Sequence, residues 1–360
     1  MNKRPWHDLR WHWPSDQPDQ IRFPKRPIRQ LALPEYAATA ATAMLGAPLV
    51  AAAWATLRPG PIPAMADLLG VAVNPTFDPA VDAEILALAR NLGVRRVLLR
   101  FPVWERDRLP YLIDFAEKLR VITGAPLLIA VLQNRASVVE PRRWRADLAN
   151  AFDAFGPLAE AFQVLQAPNR TKWACYHPGD AFALLEDAER VRARFPDVRL
   201  AGPGVIDFEP APLMRLLLNQ RRFRLDVVSA LLYVDRRGSP RNTQYGIFDL
   251  DRKIRFTAAV AKASARCRTV DGRPSPLWLT ETNWPLLGTD IWTPTSDEEC
   301  VREDVAADYL EDYARIAAAT GLVERVYWWQ LVAPGYGLVD RRPGLRLRPA
   351  YERMRALLTG

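Results

Sequence analysis

The sequence predicts a single (β/α)₈ barrel behind an N-terminal extension, and three observations carry that prediction. From residue 67 onward, short apolar runs alternate eight times with longer amphipathic ones, which marks βα units around a parallel sheet. The chain has 360 residues, room for one barrel of about 250 residues plus an extension. Length would equally allow two domains of about 150 residues, so the pattern decides. The first strand runs into Asn74-Pro75-Thr76 and not into the glycine-rich phosphate turn that an open, doubly wound sheet places there.

The extension has three parts. Residues 1–35 read as a basic tail, in which Lys3, Arg4, Arg10, Arg22, Lys25, Arg26 and Arg29 outnumber Asp8, Asp16, Asp19 and Glu35. Residues 36–57 (YAATAATAMLGAPLVAAAWATL) form an uncharged run of 22 residues, long enough at about 1.5 Å each to cross a hydrocarbon core about 30 Å thick. The basic bias before this run predicts an inner-membrane anchor with the N-terminus in the cytoplasm and the barrel in the periplasm. The run is alanine-rich, contains Pro48, and has small residues around Ala53 and Ala55. A cleaved signal segment and a helix of a soluble, cytoplasmic protein therefore remain as two further readings. Residues 58–66, which begin RPGPIP, read as a linker to a barrel spanning 67–360.

Eight strands are expected at Gly70–Asn74, Arg96–Phe101, Pro126–Leu132, Ala161–Gln166, Arg199–Gly202, Asp226–Leu232, Leu277–Glu281 and Arg325–Leu331. The stretches between them carry apolar residues at three- and four-residue steps, as in Ala80–Leu92 (AVDAEILALARNL), which predicts helices. Barrel proteins keep their chemistry at the C-terminal strand ends. The candidates there are Asn74, Arg100, Gln133, Asn134, Gln166, Ala167 and Asn169, then Asp207 with Glu209, Tyr233 with Asp235, Glu281, and Trp329 with Gln330.

LWLTETNWP places Glu281 at the end of the seventh strand, with Trp284 close behind and YWWQ on the eighth, while VRRVLLRF brings Arg100 to the end of the second. This order resembles the clan A glycoside hydrolases, in their xylosidase- and endoglycosidase-like branch, over about 290 residues from Leu69 to Leu358. The resemblance implies Glu281 as nucleophile, Arg100 as the cation that keeps it ionised, and Trp329 or Trp328 as the floor of a sugar subsite. It also implies substrate contacts from Asn74, Trp104, Gln166, Asn169, Tyr233 and Trp284.

Two strand ends depart from the clan. Where the clan shows Asn-Glu-Pro at the end of the fourth strand, FQVLQAPN has Gln166, Ala167 and Pro168. Ala167 cannot act as the general acid/base. Where the clan commonly shows a histidine two residues before a tyrosine, VSALLYVD has Leu231 before Tyr233. Retaining hydrolysis needs two carboxyl groups about 5 Å apart, so ordinary glycosides should turn over slowly or not at all. Substitute acids by position are Asp207, Glu209 and Asp235, with His177 on the loop after the fourth strand.

Composition narrows the classes. The net charge of +8 is spread along the chain without a dense cluster, which argues against nucleic acid as a partner and is compatible with an acidic polysaccharide. Cys175, Cys267 and Cys300 are far apart and odd in number, neither a disulfide framework nor a zinc site. No metal-ligand cluster or nucleotide loop is visible, so no cofactor and no metal are expected. Three functions stay open. One is a hydrolase or transglycosylase of altered mechanism. Another is a pseudo-glycosidase that binds an envelope polysaccharide and assists polysaccharide or lipopolysaccharide synthesis or export, and the third is an assembly scaffold.

Overall fold

The computed structural model describes residues 32–267, 275–293, 295–342 and 344–360, together with the backbone of two paired stretches, Trp11–His12 and Gln17–Pro18. The rest of the basic tail lies outside the described residues. Helices of eight residues or more are numbered below.

All eight expected strands form, with ends shifted by at most four residues: β1 (Leu69–Ala72), β2 (Arg96–Pro102), β3 (Leu127–Leu132), β4 (Ala159–Val164), β5 (Leu200–Ile206), β6 (Val227–Leu231), β7 (Leu277–Thr282) and β8 (Val323–Trp328). Each pairs in parallel with the next, and β8 pairs with β1, closing the barrel in sequence order. The largest difference is in β5. The strand expected to end at Gly202 continues to Ile206, through a register shift between Pro203 and Val205. A proline inside a strand is tolerated at such an irregularity.

The helices alternate with the strands. The first four are α1 (Leu33–Ala55), α2 (Pro79–Leu92), α3 (Leu109–Thr123) and α4 (Pro141–Phe155), and the next three are α5 (Pro178–Arg192), α6 (Pro210–Leu217) and α7 (Leu250–Cys267). The last two are α8 (Glu303–Thr320) and α9 (Pro349–Thr359). Local chemistry sets their limits. The Asp78 carboxylate accepts the backbone N–H groups of Ala80 and Val81 at the start of α2, and Gly93, at φ 72°, ends it.

Strand side chains divide between two layers. Leu98, Leu128, Ala130, Trp278 and Tyr327 fill the lumen, while Leu99, Ile129, Val131, Leu279 and Val326 pack outward against the helices. The lumen is therefore a packed core and not a pore, as in other barrels of eight strands.

The uncharged N-terminal run is a helix, starting three residues earlier and ending two earlier than the sequence suggested, and α1 lies along the outside of the barrel against α5, α6 and α7. Gly46 sets the spacing: a Cβ added there would come within 2.7 Å of Leu218 Cδ1 and 3.1 Å of Met214 Cε. Glu35 pairs with Arg215 of α6 at 3.1 Å, and Lys262 of α7 donates to Thr56. Val50 and Ala53 are buried beneath it, whereas Leu33, Tyr36, Met44 and Leu45 are exposed. The linker is shorter than expected, because a helical turn begins at Met65, and Gly60 N–H bonds to Gly321 O just before β8.

Candidate active site

Glu281 reaches the lumen through a β-bulge. Strict alternation from Leu277 and Leu279 would turn it outward, toward the helices. Pairing of β7 with β8 runs Val326 with Leu279 and then Trp328 with Thr282, so β7 carries one extra residue at Thr280–Glu281. That extra residue inverts the parity. Glu281 faces inward, and Thr282 lies against Tyr313 of α8.

Even-numbered strands supply its surroundings, the arrangement by which alternate strands fill one layer of a barrel. From β2, Arg100 Nη2 donates to Glu281 Oε2 at 2.6 Å. From the end of β4, Gln166 Nε2 donates to the same oxygen at 2.7 Å. Just after β6, Tyr233 OH donates to Oε1 at 2.6 Å. Beyond β8, the Trp329 indole lies under the Arg100 guanidinium, 3.2 Å from ring centroid to Cζ. Glu281 is 7% exposed, so three charge-assisted hydrogen bonds hold a nearly buried carboxylate in one orientation.

A second ring of contacts fixes these donors. Asn74 Oδ1 accepts Arg100 N–H at 2.9 Å, and Asn74 Nδ2 donates to Gln330 Oε1 at 2.7 Å. Gln133, at the end of β3, grips the backbone of Gln166 from both sides. Its Oε1 accepts Gln166 N–H at 2.9 Å and its Nε2 donates to Gln166 O at 2.8 Å. The chain turns sharply here, with Leu165 at φ 80° and Ala167 at φ 44°, and the side-chain clamp replaces the strand pairing that the turn interrupts. Burial, then the Glu281 charge, holds the Tyr233 hydroxyl protonated to well above its usual range.

Glu281, Arg100, Tyr233 and Trp329 line an open cleft of about 130 Å³ at the C-terminal strand ends, together with Trp173, Arg170, Lys172, Asp207 and Arg237. A larger groove lies on the outer wall between α2 and α3, lined by helix side chains such as Asp82, Leu86, Asp114 and Lys118 and away from the strand ends. Asp207 is ion-paired to Arg170 at 2.7 Å and faces Arg237 at 3.7 Å. Lys172 is half-buried in the wall, where desolvation lowers its pKa against the opposing pull of Glu281.

The structure sorts the other expected residues. Ala167 is fully buried, beside Trp173 and Trp329. Asn169 bonds to Ile206 O and Glu209, and Glu209 is paired to Arg170 at 2.6 Å, so both buttress the loop and neither lines the cleft. Asp235 lies on a helical turn outside the lining, and Trp104, on the turn that follows β2, is half-buried and also outside it. Trp284 points away from the cleft, buried against Trp328 at 5.6 Å with its Nε1 donating to Gly238 O. Of the two adjacent tryptophans at the end of β8, Trp329 is the one that faces the site. Arg170, Lys172 and Arg237 were not singled out by sequence, because loop cations look alike whether they face solvent or a cleft. Burial holds the Cys175 thiol protonated, with its pKa raised, and no group of three or more His, Cys, Asp or Glu suited to a metal occurs among the described residues.

No protein-family model matches the sequence, and no curated protein is significantly similar to it. Solved structures are informative. The family 51 α-L-arabinofuranosidase of Bifidobacterium longum superposes with a TM-score of 0.55 at 14% identity, covering 84% of this chain and 74% of that one. A β-glucosidase from Exiguobacterium marinum gives 0.55 at 9% identity, covering 84% and 99%. A family 128 endo-β-1,3-glucanase from Amycolatopsis mediterranei, solved with laminarihexaose, gives 0.51 at 15% identity, covering 81% and 99%. The fold is the closed (β/α)₈ barrel that these glycoside hydrolases share. At these identities the likeness is one of backbone architecture, and a glycoside-hydrolase-like barrel takes its chemistry from its own side chains.

Proposed function

We propose that the barrel binds a polysaccharide in this cleft and that Glu281 is a glycosyl-accepting carboxylate working without a partner acid at the fourth strand. One observation carries the reading. Glu281 is fixed by three donors, while Asp207, the other carboxylate lining the cleft, is ion-paired to Arg170. Asp207 is committed to its ion pair with Arg170, and the end of β4 presents the Gln166 amide to Glu281 where a second carboxyl would stand. Positioned acid catalysis contributes about 10²–10⁴-fold, and its loss would leave ordinary glycosides slow and glycosides with good leaving groups reactive. The oligosaccharide complex of the Amycolatopsis glucanase supports a saccharide as ligand.

The test is intact-mass labelling of the full chain with 2-fluoro glycosides carrying dinitrophenyl or fluoride leaving groups, which need a nucleophile but no acid. An adduct on Glu281, absent in Glu281→Gln, establishes the nucleophile. Glycan binding without any adduct leaves a pseudo-glycosidase assisting polysaccharide or lipopolysaccharide synthesis or export. Neither adduct nor binding removes the carbohydrate reading.

A membrane location belongs to the same proposal, with the envelope as the site of action. The outward residues of α1, including Leu33, Tyr36, Met44 and Leu45, are exposed and uncharged over a helix of 23 residues, a face suited to lipid contact. Flotation with lipid vesicles checks it: the parent chain should float, and Met44→Glu/Leu45→Glu should not.

A further inference from the structure

We infer that the cleft is built for an acidic glycan, one whose sugars carry carboxylates, and that Arg237 and Lys172 form the subsite that takes the charge. The inference rests on the carbohydrate reading above and names its substrate class. Four cations, Arg100, Arg170, Lys172 and Arg237, line the cleft against two carboxylates, Asp207 and Glu281. Arg100 is absorbed by Glu281, and Arg170 by Asp207 and Glu209.

Arg237 is different. Its guanidinium lies flat on the Tyr233 ring at 3.4 Å from the centroid, directly beside the Glu281 anchor. Its nearest carboxylate oxygen, on Asp207, is 3.7 Å away, and its buried Nη1 has no hydrogen-bond partner. A planar donor fork fixed by an aromatic face, with donor capacity left over, matches the two oxygens of a carboxylate. Neutral hydroxyls would leave that buried donor and its charge poorly compensated. Lys172 adds a second cation within the same wall, and burial there disfavours its charged form in spite of Glu281. An incoming anion would relieve that penalty.

Isothermal titration of the full chain with matched hexasaccharides tests this, pairing glucuronate, mannuronate and galacturonate oligomers with their neutral counterparts. At least one acidic hexamer should bind tenfold or more tightly than its neutral partner, with an advantage that shrinks as salt is raised. Arg237→Gln should abolish the advantage, Arg237→Lys should lose most of it by keeping charge without the fork, and Lys172→Gln should reduce it. Equal affinity within every pair, or a preference for the neutral member, overturns the inference and leaves the carbohydrate reading standing. An advantage that survives Arg237→Gln also overturns it, and failure of every hexamer to bind overturns both.

Discussion

Gln166 donates its side-chain amide to Glu281 Oε2 across 2.7 Å, so the fourth strand presents an amide to the carboxylate. Gln166→Glu would set a second carboxyl against the first. The introduced carboxyl must stay protonated to donate, so its folded pKa rises above the ordinary value of about 4.3. A raised carboxyl pKa is neutral in sign below the unfolded value and costs stability as pH climbs through the folded one. The variant should match the parent near pH 4 and fall about 2–3 kcal/mol below it at pH 8, an estimate for a shift of about two units. Urea unfolding at both pH values checks it, and an equal deficit at each would sink the idea.

Arg100 and Glu281 form an ion pair with side-chain exposures of 6% and 9%. Removing one partner of such a pair strands the other and costs about 3–5 kcal/mol. Arg100→Met should therefore be strongly destabilising, and Arg100→Met combined with Glu281→Gln should cost at least about 2 kcal/mol less than the sum of the single changes. Additive losses in chemical denaturation would show that the pair is not energetically coupled.

Lys253 is buried behind the site, donating to Tyr233 O at 3.3 Å, and burial lowers its pKa to about 8 against the pull of Asp235 and Asp207. The unfolded chain holds that proton to about pH 10.4, so this group makes the protein more stable as pH rises from 8 toward 10. Lys253→Met should be the more stable protein at pH 7, by on the order of 2–3 kcal/mol. The advantage should narrow steadily up to pH 10. Using the difference between variant and parent cancels the tyrosines and cysteines that titrate nearby. An advantage that does not change with pH would contradict the assignment.

The contact at Gly46 gives a fourth expectation. Gly46→Leu overfills the seam between α1 and the side chains of Leu218 and Met214, at a cost of about 1–3 kcal/mol. Limited chymotrypsin digestion at the exposed Tyr36 and Leu45 of α1 should accelerate in the variant. Unchanged cleavage and melting would mean that α1 does not dock on the barrel in solution.

The barrel was readable because strands buried on both faces and amphipathic helices write different periods, as LLIAVL and AVDAEILALARNL do. Arg100, Tyr233 and Trp329 were readable as strand-end residues, and plain alternation from Leu98, Val227 and Tyr327 carries each into the lumen. Glu281 was readable only by position. Its inward aim depends on a bulge that exists in the pairing of β7 with β8 and has no signature in LWLTETNWP. Trp284 shows the reverse: three residues past Glu281, this strand-end aromatic packs against Trp328 and away from the cleft. Arg237 and Lys172 were hidden for another reason. Their importance comes from the wall they share, and they stand 65 residues apart on separate loops.

The lie of α1 also fixes a direction. Glu35, at one end, comes close to Gly179 at the start of α5 on the cleft side, and Thr56, past the other end, meets Lys262 near the close of α7. The helix thus spans the wall from rim to floor, roughly along the barrel axis. Any flat surface that accepts its outer face would lie alongside that axis, and the cleft would open sideways, skimming the surface. A polymer lying flat on such a sheet, or emerging through it nearby, would meet the site edge-on, without the barrel having to tip over to reach it.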